Sequence, residues 1–142
     1  MQDITIISEI IKSKIYTIRR KQVMLDSDLA RLYDIETKRL KEQVKRNLKR
    51  FPSDFMFQLD ENEVNAMGSQ IATPSKQQFG GYLPYAFTEQ GVAMLSSVLR
   101  SQKAIDVNIQ IIRAFIEMRK YISKNLELLF QYYKVQPNPC LT

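Results

Sequence analysis

A chain of 142 residues fits one domain, and at that size folding buries about two-thirds of the surface that the unfolded chain exposes. A single cysteine, Cys140, excludes an internal disulfide framework, and the absence of histidine removes the commonest zinc ligand and general base, so metal chemistry and catalytic triads are disfavoured. The net charge of +6 points to a polyanionic partner, although many basic proteins bind nothing in particular.

Near the start, Ile4, Ile7, Ile10 and Ile11 fall on one side of a short amphipathic helix over Asp3 to Lys12, with Asp3 available as its cap. Asp3 and Glu9 interrupt the isoleucines, so no signal-peptide core forms. No apolar run approaches the ~20 residues needed to span a bilayer. A cytoplasmic protein with no membrane partner is expected. Ile15 to Leu25 then alternates, with Ile18 and Val23 to Leu25 flanking Arg19-Arg20-Lys21-Gln22, which predicts a hairpin of two short strands. A basic hairpin tip can touch a DNA backbone, but charge there also serves solubility, the reading slightly favoured.

From Asp26 to Arg50 two helical patterns meet at a tight break. Asp26 or Ser27 can cap the first, whose Leu29, Ala30, Leu32 and Tyr33 crowd one side. Asp34 tolerates the left-handed conformation that ends a helix, and Ile35 can pack back on the pair. Thr37 caps a second helix over Lys38 to Arg50, in which Leu40, Val44 and Leu48 recur every fourth residue, with Phe51 closing the stripe. Small Ala30, the break at Asp34 and apolar Leu40 match the spacing of a helix-turn-helix. Opposite the stripe project Lys38, Arg39, Glu42, Lys45, Arg46 and Lys49, flanked by Gln43 and Asn47. On a DNA-reading helix, Thr37, Lys38, Arg39 and Glu42 would meet base edges, while Lys45, Arg46, Lys49 and Arg50 would meet phosphates. The plainer alternative is a solvated face, with Glu42 four residues from both Lys38 and Arg46 as in ordinary intrahelical ion pairs.

Phe51-Pro52 ends the helical pattern, because the residue before proline is pushed towards extended geometry. Phe55, Phe57 and Leu59 then alternate with Met56 and Gln58 as a half-buried strand. Asp60 opens a helical turn containing Glu61, Glu63, Val64 and Met67, which Gly68 is placed to end. Asp54, Asp60, Glu61 and Glu63 could be read as the magnesium site of a nuclease, but acidic residues at a helix start are expected from the dipole and no partner motif follows. Gln70 to Thr73 is a brief strand candidate before the polar loop TPSKQQFGG, and Tyr82 to Phe87 resumes an extended pattern. Such a pair could form a wing with Lys76, Gln77 and Gln78 at its tip, or simply a surface loop.

Thr88 caps a helix from Glu89 to Leu99 in which Val92, Leu95, Val98 and Leu99 face inward and Gly91 permits close packing. Ser101 caps the last and longest helix, which runs at least to Ile122. One stripe on it is Ile105, Ile109, Ile112 and Ile116; an adjoining one is Ile111, Phe115, Met118 and Ile122, continuing through Asn125 to Leu129. Two stripes suit one broad buried face, or a helix shared between its own domain and a second copy in a homodimer. Pro137 and Pro139 end any helix.

The run VMLDSDLARLYDIETKRLKEQVKRNLKRFPSDFMFQL, then YLPYAFTEQGVAMLSSVL, then AIDVNIQIIRAFIEMR closely resembles the KilA-N-type DNA-binding domain of phage and bacterial proteins. The resemblance covers about Ile15 to Arg119. It implies a double-stranded DNA-binding domain in a phage-related transcriptional regulator or antirepressor-like protein. Taken together, the readings predict a single α+β domain over residues 1–123, with a helix-turn-helix-like pair, short strands and a long C-terminal helix, followed by a tail over residues 124–142. No catalytic residue, metal ligand or cofactor is assigned. A protein-interaction module acting on a repressor through the C-terminal helix is the alternative.

Overall fold

The computed structural model describes residues 4–67 and 82–133. Helix α1 (Ile4–Ser13) leads into the hairpin of β1 (Tyr16–Ile18) and β2 (Lys21–Leu25), and β2 passes directly into α2 (Asp26–Tyr33). Helix α3 (Thr37–Arg46), a 3-10 turn (Leu48–Arg50), β3 (Met56–Gln58) and α4 (Glu61–Met67) follow. After the undescribed segment come β4 (Tyr85–Phe87), α5 (Glu89–Leu99) and α6 (Gln102–Tyr133). The fold is α+β, as the sequence predicts.

The four strands form an antiparallel sheet in the order β1-β2-β4-β3. Register places Met24 and Met56 on either side of Phe87, and this row faces the main core of helices. The alternate row, Leu25, Ala86 and Phe57, faces the opposite side and packs with Val64 and Met67 of α4. Both faces of the sheet are therefore covered. This is why Val23, Met24 and Leu25 are all buried, without the alternation that a half-exposed strand would show. The same fact corrects the expectation for Phe55, Phe57 and Leu59: Met56, assigned to the polar side, is buried, while Phe57 is only half-buried.

Local signals set most element ends. The hairpin turns on Arg19 and Arg20, both left-handed (φ 54° and 62°), as a two-residue turn between right-twisted strands requires. Its charge is not merely for solubility: Arg19 donates to both carboxylate oxygens of Glu63 (2.8 and 2.9 Å) and lies 4.4 Å from the centre of the Phe57 ring. The hairpin is thereby clamped to α4. Asp60 and Glu63 cap each other's backbone N–H groups (2.9 and 2.7 Å), so the acidic cluster serves a helix start and an ion pair. Among the described residues no group of three acidic or cysteine side chains could hold a metal ion.

Thr88 caps α5 as expected, its hydroxyl accepting from Gly91 N–H (3.3 Å). Ser101 accepts from Ala104 N–H (3.1 Å) at the start of α6. Helix α6 packs on α5, α1 and α2 along a line through Ala104, Asn108, Ile111 and Phe115. That line corrects the expected pair of stripes. Ile111 and Phe115 are sealed in the domain's own core, so the seam drawn through them is not free as a whole; Ile105, Ile109 and Ile122 are exposed instead. Ile10 of α1 is exposed as well. The helix crosses the boundary expected at residue 123 without a break and continues to Tyr133.

Several expectations lie outside the described residues: Asp3 as a cap, Gly68 as a stop, the Gln70–Thr73 strand, the Lys76–Gln78 tip and the Pro137–Pro139 end, together with the side chains of Ile4 and Leu129. No helix among the described residues is long and apolar enough to cross a membrane.

Candidate nucleic-acid interface

The break between α2 and α3 forms as its residues suggest. Asp34 is left-handed (φ 61°, ψ 44°), its N–H reaches the carbonyl of Arg31 (3.2 Å), and Ile35 N–H reaches back to Ala30 (3.0 Å). Ile35 packs against the core and Ala30 is fully buried, which lets α3 approach α2 closely. A buried hydrogen-bond chain holds α2 from behind: Tyr33 Oη donates to Asn108 Oδ1, and Asn108 Nδ2 donates to the carbonyl of Val92 (2.8 Å). Burial pushes the Tyr33 hydroxyl far above its usual range, so it is always present as a donor.

Helix α3 is anchored by two buried side chains, Leu40 and Val44. It ends four residues earlier than the apolar spacing predicts. Asn47 leaves helical geometry (φ −124°, ψ 34°), and Leu48, expected on the buried stripe, is 58% exposed. Where the helix ends, Phe51 turns inward and meets Phe87 edge-on, with ring centres 5.9 Å apart, and Pro52 behind it disfavours helical geometry at Phe51. Glu36, not Thr37, occupies the cap position, and neither side chain caps the helix.

These boundaries divide the predicted site. Thr37, Lys38, Arg39, Glu42, Lys45 and Arg46 share α3, and all but half-buried Thr37 are exposed. Lys49 and Arg50 belong to the 3-10 turn, off the continuation of that face, and Arg50 donates to Ser97 Oγ of α5 (3.1 Å). Five basic residues and one acidic residue give α3 a net charge of +4, most of the chain's +6. Lys38, Arg39, Lys45 and Arg46 make no ion pair among the described residues. The intrahelical pairing of Glu42 with Lys38 or Arg46 does not form.

Sequence reasoning missed Lys41 and its surroundings. Lys41 Nζ lies 3.6 Å from the carboxylate of Asp26 and beside the rings of Tyr82 and Tyr85, 5.2 and 5.9 Å from their centres. Asp26 is buried and does not cap α2 from outside; it accepts from Ser27 N–H (2.7 Å) and Tyr85 N–H (3.1 Å). Burial raises its pKa, against which those hydrogen bonds and the Lys41 charge work. The only sequence signal was the placement of Lys41 three residues after Lys38 and four before Lys45.

What this geometry defines is a small α+β domain that presents a strongly basic helix, set against a short left-handed turn, at its surface. Residues 13–98 match the ORF6N domain, and the chain belongs to that phage-associated family. The match spans the hairpin, both helices of the pair, the sheet and nearly all of α5. It names ORF6N where the sequence resemblance named KilA-N. No curated protein and no solved structure matches the chain.

Proposed function

We propose that the protein is a phage-type transcriptional regulator or antirepressor-like protein, cytoplasmic, that binds double-stranded DNA through α3. The observation that carries this reading is the charge of α3: the helix has a net charge of +4, is seated by Leu40 and Val44, and holds four cations, Lys38, Arg39, Lys45 and Arg46, without an ion pair among the described residues and so available to phosphates and base edges. With ~4 to 6 phosphate contacts, binding to random duplex should weaken with salt at a slope of log affinity against log salt near about −4 to −5. Arg39→Ala should cost about 1–3 kcal/mol on the preferred site and relax one position of it, since arginine makes planar two-point contacts to guanine. A gel-shift series across salt concentrations, followed by selection from a random pool, measures both. Salt-independent or undetectable binding at low ionic strength would remove the reading.

A second element of the proposal concerns partners. Ile105, Ile109, Tyr121, Ile122 and Leu126 leave large side chains of α6 exposed, apolar surface of a kind that a protein partner covers. A homodimer through α6 would cover it and set two copies of α3 against half-sites about 34 Å apart, giving an imperfect palindrome as the selected site. The alternative is a protein-interaction module that uses the same residues to act on a repressor. Sedimentation at micromolar concentration should show a dimer, and Ile122→Lys with Leu126→Lys should return it to monomer. A monomeric wild type with a non-palindromic site would end the dimer and leave α3 untouched.

A further inference from the structure

Projecting α3 separates its cations into two flanks. Relative to the buried line of Leu40 and Val44, Lys41, Lys45 and Lys38 fall on one side, whereas Arg46 and Arg39 fall on the other, with Glu42 at the crest. The lysine flank is exposed at Lys38 and Lys45 and half-buried at Lys41. It forms one wall of a cleft of about 560 Å³, whose opposite wall is Gln58, Tyr82, Leu83 and Tyr85. Tyr82 is 70% exposed, so its ring and hydroxyl are accessible from the cleft. Lys41 bridges the floor between Asp26 and the two tyrosine rings, so its charge is partly neutralised. Lys38 and Lys45 stand at either end, seven residues and therefore about 10 Å apart along the helix, with no ion-pair partner among the described residues.

We propose that this cleft between α3 and the Tyr82–Tyr85 segment holds the sugar–phosphate backbone of one DNA strand, leaving the Arg39 and Arg46 flank to face base edges. The inference rests on the DNA-binding reading of α3 and refines it. The chemistry of the walls selects a backbone over a base. Lysine ammoniums are mobile point charges suited to a run of phosphates, whereas the rigid arginine fork suits planar two-point recognition. The Tyr82 hydroxyl adds a neutral donor of the kind that meets phosphate oxygens, and so does the second N–H of the Gln58 amide, whose nitrogen also donates to the Leu83 carbonyl (3.1 Å). Glu42 repels phosphate and stands at the lip of the cleft, which keeps the strand on the lysine side. Lys38 therefore moves from the base-reading group to the backbone group, and Arg46 moves the other way.

The test is the binding of a labelled random duplex of about three helical turns, titrated with salt, for wild type and for Lys38→Ala, Lys45→Ala, Tyr82→Phe, Tyr82→Ala and Arg39→Ala. Thermal melting of each variant establishes that it is folded. Each lysine variant should flatten the salt slope by about 1. Tyr82→Ala should weaken binding to all sequences alike by roughly threefold to tenfold, as for one lost hydrogen bond, and Tyr82→Phe should reproduce most of that loss. Unchanged affinity and slope in the Lys38, Lys45 and Tyr82 variants, beside weakened binding by Arg39→Ala, would overturn the cleft and leave the DNA reading standing. A change of selected base sequence in Lys38→Ala or Lys45→Ala, without loss on random duplex, would overturn it too, since those lysines would then read bases. Failure of the folded wild type to bind duplex at low salt would end both.

Discussion

Gly91→Ala should destabilise the domain by about 1–3 kcal/mol or somewhat more, although alanine is the better helix former by nearly 1 kcal/mol. A Cβ at this position would stand 2.1 Å from the carbonyl oxygen of Phe55 and 3.1 Å from its carbon. Those atoms are backbone and cannot swing aside. The same oxygen accepts the N–H of Thr88 (3.0 Å), and the Thr88 hydroxyl lies 3.1 Å from the Asp54 carbonyl and 3.2 Å from that of Phe55. Relieving the clash therefore means moving α5 off the segment that leads into β3, together with its own cap. Urea unfolding of the variant measures the loss. A more stable variant would show that α5 and Phe55 are not in contact.

Leu40→Ala should cost about 2–5 kcal/mol, the usual range for a fully buried leucine whose cavity cannot collapse. Leu40 is one of only two buried side chains on α3, and it reaches the core between the helices and the sheet that also holds Phe51, Met56 and Phe87. Its loss should loosen the whole basic helix. Lys45→Ala, on the exposed face of the same helix, should change stability by no more than about 0.5 kcal/mol. Comparing the two melts separates the anchor of the helix from its charges. A Leu40→Ala protein as stable as wild type would mean that α3 is seated by something other than its apolar stripe.

The contrast between those two residues also shows what the chain made legible. Features governed by neighbours a few residues away were readable: the left-handed Asp34, the caps at Thr88 and Ser101, the acidic start of α4. Each is a local competition for backbone hydrogen bonds or space, decided inside one turn. Features governed by distant contacts were not. Leu48 keeps perfect four-residue spacing from Leu40 and Val44, yet it is exposed where the chain leaves α3, and it is Phe51 that meets Phe87, thirty-six positions on in the chain. Arg19 looked like an exposed turn charge until α4 brought Glu63 against it. Along α6, isoleucines occupy both the buried line and the open side, so periodicity alone could not tell which stripe the domain would claim. For the site, the charge of α3 was evident from composition, whereas the cleft was not, since its far wall comes from β3 and the approach to β4.

The order of strands carries a consequence for how the chain folds. β4 lies between β2 and β3, although it is the last of the four to appear in the sequence. Until Phe87 has emerged from the ribosome, β2 and β3 have no partner between them, and both present unpaired backbone edges with apolar residues on either face. A nascent or cleaved chain that stops short of β4 thus holds a hairpin, a basic helix and two sticky edges, but no sheet. Such species are prone to pair with other chains. The gap between those edges is filled by a three-residue strand, β4, with α5 following directly behind it.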